Sequence, residues 1–123
     1  MIQKQLLVPQ RIRRPPREGF SWIDRRFLRE HSAALSRDAL LLYFFLAAVS
    51  DQHGLSFWSD VATAVRLRLT ELEVVRTREE LLAGDLIAVA APLTQVLSLP
   101  ERRVQRGGPE RLGDLFRALA GPG

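Results

Sequence analysis

Four arginines fall within seven residues, Arg11, Arg13, Arg14 and Arg17, in a stretch with no acidic side chain between them. Guanidinium groups at that density bind phosphate or carboxylate, because their charge never leaves and their planar fork matches those oxygens. Three prolines and a glycine interrupt the same stretch, Pro9 to Gly19. Its composition cannot repay the entropy of ordering, so it is expected to be an extended arm. Two further arginines, Arg66 and Arg68, stand just ahead of Thr70, whose hydroxyl is spaced to cap a helix with Glu73. Backbone N–H groups at a helix start, with arginines beside them, could together hold a phosphate.

Other chemistry is poorly supplied. His31 and His53 are the only histidines and there is no cysteine, so the fragment Asp51-x-His53 lacks the third and fourth ligands that a metal needs. The chain has no nucleophile elbow, zinc-helix, P-loop or dinucleotide glycine pattern, and the adjacent Glu79 and Glu80 diverge on a helix. No enzyme activity, metal or cofactor is expected.

The positive charge is concentrated at the ends. The whole chain of 123 residues carries +4, but residues 1–30 hold eight basic and three acidic side chains, and residues 31–60 hold one and three. Residues 61–99 hold four and five, and residues 100–123 hold five and three. A polyanionic partner would therefore meet the arm first. Seventeen of the eighteen basic residues are Arg and Asn is absent, a bias that GC-rich coding produces by itself, so the choice of Arg over Lys carries no weight.

A length of 123 residues with 46% apolar side chains fits one modest domain with tails. The boundaries expected are an arm at 1–19, a domain at 20–99, and a linker with a short helix at 100–123. The longest apolar run, Ala39 to Val49, is about half of the roughly 20 residues that cross a bilayer. No membrane contact is expected. The first residues lead into arginines rather than a cleavage site, and together with the lack of cysteine this gives a cytoplasmic expectation.

Local signals set the elements. Ser21 and Asp24 begin a short helix expected from about Trp22 to Glu30, and Ser36 begins a second, packed over Asp38 to Ser50. Leu55-Ser56-Phe57 alternates like a strand, Ser59 caps a helix from Asp60 to about Arg66, and Thr70 caps another to about Ala83. Leu86 to Ala90 and Gln95 to Leu99 then read as a hairpin around Ala91-Pro92-Leu93-Thr94. Trp22 and Trp58 sit beside apolar positions and are expected in the core.

Helix, helix, strand, helix, turn, helix and hairpin is a mainly α order with a small β-hairpin. In Gly54-Leu55-Ser56-Phe57-Trp58-Ser59, in Thr70 and in Leu81-Leu82-Ala83-Gly84-Asp85-Leu86-Ile87, the chain resembles winged helix-turn-helix domains of bacterial transcription regulators and of plasmid or phage replication initiators. The resemblance spans Ala39 to about Leu99. It implies a non-enzymatic DNA-binding protein, a small regulator or an accessory factor of a replication or mobile-element system, whose helix from Glu71 to Ala83 approaches a groove.

At 100° per residue that helix turns Val74, Val75, Thr77, Leu81 and Leu82 inward and Leu72, Glu73, Arg76, Glu79, Glu80 and Ala83 outward. The candidate nucleic-acid contacts are Arg11, Arg13, Arg14, Arg17, Arg66, Arg68, Thr70 and Arg76. DNA is favoured, and the arm's composition would also serve RNA. Arg78 points into the inward stripe and is expected to pair with Asp24 or Asp38. The net acidic outward face supports an alternative, a winged-helix module that docks proteins. Leu112, Leu115, Phe116 and Leu119 lie at i, i+3, i+4 and i+7, an amphipathic pattern suited to a protein partner, to a second copy in a homodimer, or to the same domain.

Overall fold

A computed structural model describes residues 2–101, and the candidate positions Leu112, Leu115, Phe116 and Leu119 lie outside them. Helix α1 (Arg37–Val49) begins where Ser36 Oγ accepts the Ala39 N–H at 3.1 Å. Ala39, Leu42, Tyr43, Phe45, Leu46 and Ala47 are buried, so α1 is packed around much of its circumference. Helix α2 (Asp60–Leu67) starts at the expected Ser59 cap, and α3 (Glu71–Ala83) starts at a full capping box between Thr70 and Glu73. These caps satisfy backbone donors that would otherwise be unpaired, which is why the three starts could be read locally.

The strands are β1 (Leu55–Ser56), β2 (Ile87–Ala90) and β3 (Leu93–Val96), in the antiparallel order β1-β3-β2. The fold is mainly helical with this small sheet, a winged-helix-like arrangement. Leu42, Leu81, Leu86 and Val74 are the largest fully buried side chains, joining α1, α3 and the entry to β2. Burying each such aliphatic group contributes about 1.5–3 kcal/mol.

Gly54 ties the sheet to the end of α1. Its φ of +85° suits glycine, and its carbonyl accepts the Val96 N–H at 2.8 Å. An added Cβ would lie 2.5 Å from the Val96 oxygen. No side chain larger than hydrogen fits there without moving β3.

Two expected elements differ. The hairpin turn is only Ala91-Pro92, because Ala90 pairs with Leu93 and Val89 with Thr94, drawing both supposed turn residues into β3. Gln95 pairs with Leu55 as well as Ala88, and the strand ends at Val96 rather than Leu99. The first helix also starts late. Ser21 Oγ donates to the Ala48 carbonyl at 3.1 Å instead of capping a helix, and residues 20–24 have no regular secondary structure. Helical backbone follows Asp24, with a π-helical turn at Phe27–His31 that seats the buried Phe27 ring on Tyr43, centroids 3.9 Å apart.

Among the described residues, no helix is long and apolar enough to cross a membrane.

Candidate nucleic-acid interface

The arm holds its cations apart from the fold. Every side chain from residue 2 to residue 23 is exposed, and the segment's helical structure is a single 3-10 turn at Pro9–Arg11. Among the described residues the ion pairs are Arg26 with Asp24 and Arg78 with Asp60. Arg11, Arg13, Arg14 and Arg17 thus face solvent without a carboxylate partner among those residues.

A second set of cations lies at the α2–α3 turn. Arg66 is in the last turn of α2, with its guanidinium 5.5 Å from the centroid of Trp58. Arg68 is the C-cap of α2 in the left-handed region, φ 61°. That conformation is unfavourable for a residue with a Cβ and is usually taken by glycine. Thr70 Oγ1 accepts the Glu73 N–H at 3.0 Å, and the Glu73 carboxylate accepts the Thr70 N–H at 2.8 Å. The hydroxyl's acceptor role is used in the cap. Arg76 is exposed on α3. The sequence therefore places Arg66, Arg68 and Thr70 on one turn, and Arg76 on the helix that follows it.

The outward face of α3 differs from the expected one. Glu80 turns back to α1, where its carboxylate accepts the Ser36 N–H at 2.9 Å and the Ser36 hydroxyl at 2.6 Å. These two bonds, the hydroxyl first, hold its carboxyl below the usual range. Glu73 is committed to the capping box. With both drawn aside, Leu72, Arg76, Glu79 and Ala83 make up the exposed stripe, and Leu82, expected inside, is exposed. Val74, Thr77 and Leu81 are buried as expected, with Val75 half-buried.

Arg78 pairs with Asp60 at the start of α2, and not with Asp24 or Asp38. Packing of α2 against α3 brings Asp60 within reach, whereas Asp24 is taken by Arg26 two residues on. The guanidinium bond of Arg26 and then its backbone N–H draw the Asp24 pKa down to about 2.

Both tryptophans depart from the expected core positions. Trp22 is 75% exposed, next to Ser21, whose hydroxyl donates to the Ala48 carbonyl. Trp58 is partly exposed, with its ring edge-on to Phe45 at 4.9 Å and Arg66 above it. No local signal in the sequence distinguishes these sites from core positions, since Trp22 stands next to Ile23 and two residues from Phe20.

An open cavity of about 1000 Å³ lies where residues 18–26 pass the C-terminal end of α1, the turn at residues 51–54 and the end of β3. No residue of α2 or α3 lines it. Asp51 closes the turn by accepting the N–H groups of His53 at 2.8 Å and Leu55 at 2.9 Å, and these bonds lower its pKa. No local pattern foretells this cavity, since its walls come from three separated segments.

Compared with protein-family models, with curated proteins and with solved structures, the chain matches none.

Proposed function

We propose that this chain is a non-enzymatic DNA-binding protein that attaches through its arginine arm and sets its α2–α3 unit against the duplex. The observation that carries this reading is the division of charge. Three carboxylates of the helical unit are engaged internally, Glu73 with Thr70, Glu80 with Ser36 and Asp60 with Arg78, while Glu71, Glu79 and Asp85 stay exposed; Arg66, Arg68 and Arg76 have no ion-pair partner among the described residues. Phosphates attract such cations over distances of about a Debye length, roughly 8–10 Å at ordinary salt.

The arm would supply most of the attraction, along the backbone or in a minor groove, and the helical unit the orientation. Arg68 fits this role because its backbone closes the end of α2 while its side chain stays exposed, with no ion-pair partner among the described residues. The service performed, transcriptional regulation or accessory work in replication or element mobility, follows from the winged-helix resemblance and belongs to this proposal.

The test is the triple substitution Arg66→Ala, Arg68→Ala and Arg76→Ala in the chain that keeps its arm, measured by fluorescence anisotropy on duplex DNA. The reading expects a loss of about tenfold or more with the melting temperature held within a few degrees. Unchanged affinity in the folded variant would remove α2–α3 from the interface.

A second reading is favoured by a different observation. Phe44, Phe57, Val61 and Val65 are 58%, 71%, 56% and 75% exposed, which leaves apolar area on α1, on α2 and just ahead of α2 suited to a protein partner. A protein-docking module would tolerate the triple arginine change and lose its partner when Val61 and Val65 become polar.

A further inference from the structure

We infer that the cavity between residues 18–26 and the end of β3 receives an unpaired base from DNA held by the arm. The inference rests on the DNA-binding reading above and adds the kind of DNA, a duplex with a single-stranded flank. Phe20 and Trp22 line the cavity and are 66% and 75% exposed, so their ring faces are available. Aromatic faces beside a cationic track are the means by which proteins hold single strands, one ring stacking on one base. In an intact duplex the base faces are covered by their neighbours, so only an unpaired base can use such a ring.

The polar walls suit a base better than a phosphate. Gln52, His53 and Gln95 line the cavity and present amide and imidazole groups that can donate to or accept from a base edge. Asp24 is held by Arg26, and Asp51 by two backbone N–H groups, so each carboxylate already has its partners. Their charge, with Glu18 at the rim, still repels phosphate from inside. Phosphates would instead lie outside, along Arg11 to Arg17, which lead directly into the lining segment. The volume, about 1000 Å³, is at the upper end of the roughly 300–1,000 Å³ that ligand pockets span.

The experiment compares three fluorescein-labelled DNAs on the full chain by anisotropy: a blunt duplex, the same duplex with an oligothymidine flank, and the oligothymidine alone. The flanked duplex is expected to bind roughly 5- to 150-fold more tightly than the blunt one, the range one stacked base provides. Trp22→Ala should remove that preference and leave blunt-duplex affinity and melting temperature unchanged, while Trp22→Phe should keep most of it. Equal binding of flanked and blunt duplexes would overturn this inference and leave the DNA-binding reading standing. Absence of binding to any of the three would overturn both. A preference that survives Trp22→Ala would place the flank elsewhere and overturn the assignment. So would iodide quenching of Trp22 that rises on truncation after Glu101, since the chain's own C-terminal residues would then be the occupant.

Discussion

From residue 2 to residue 23 the chain exposes every side chain, and from Ser36 to Leu99 it commits many of its polar groups to one another. Arg13 and Arg78 show the contrast. Arg78 is half-buried between helices and joined to Asp60, so its charge helps to fix how α2 meets α3. Arg13 has no such partner among the described residues and is free to meet an external anion. The same holds for aromatic rings. Phe27 is stacked on Tyr43 inside the fold, whereas Trp22, five residues earlier, lies at the surface beside Ser21. Groups used internally describe the scaffold, and groups left unused show where an outside partner can be held.

If this division is right, substitutions in the two regions should differ by an order of magnitude in their effect on stability. Leu81→Ala empties a fully buried site between α3 and α1 and should cost about 2–5 kcal/mol in urea unfolding, whereas Arg13→Ala should stay within about 0.5 kcal/mol. Comparable losses would mean that the arm is part of the fold.

Ser36→Ala sharpens the comparison within the body. It removes the cap of α1 and the one bond of its hydroxyl to Glu80, leaving the backbone N–H bond, and about 1–2 kcal/mol of stability should go with them. Arg68→Gly should act in opposite directions on the two properties. Glycine relieves the left-handed backbone, raising stability by about 0.5–1 kcal/mol, while the lost charge weakens duplex binding. A variant that is less stable would show that Arg68 serves packing.

Acid provides the mildest perturbation. Glu80, Asp51 and Asp24 have folded pKa values below their ordinary ones of 4.5, 3.8 and 3.8. Their contribution to stability is complete above those ordinary values and is lost as pH falls through the lowered folded ones. Thermal melts should therefore change little between pH 7 and 5 from these groups and fall below about pH 4.5. Glu80→Gln should flatten part of that fall.

The helix starts were legible because Ser36, Ser59 and Thr70 act on backbone within three residues. What escaped depends on distant partners. Ser21 bonds to a carbonyl 27 residues away instead of capping the first helical turn, and no local pattern registers that partner. Glu80 was placed outward by helical periodicity, which cannot register Ser36 arriving from another helix. The hairpin was displaced because Leu93 and Thr94 fit either a turn or a strand by type, and only pairing with Ala90 and Val89 selects the strand. The arginines of the arm and the α2–α3 turn were visible from composition and spacing alone, whereas the cavity beside Trp22 exists only after three segments meet.

The central claim is that uncompensated arginines of the arm carry the attachment to DNA, and the most direct measurement is the salt dependence of duplex affinity for the full chain and for a chain lacking residues 2–18. Each phosphate contact contributes about 0.9 to the slope of log affinity against log salt. The four arginines and Lys4 lost with that segment should therefore make the intact chain steeper by up to about 4.5, an advantage that falls roughly 500-fold between 50 and 200 mM salt. Equal slopes for the two chains, with both folded, would contradict the claim.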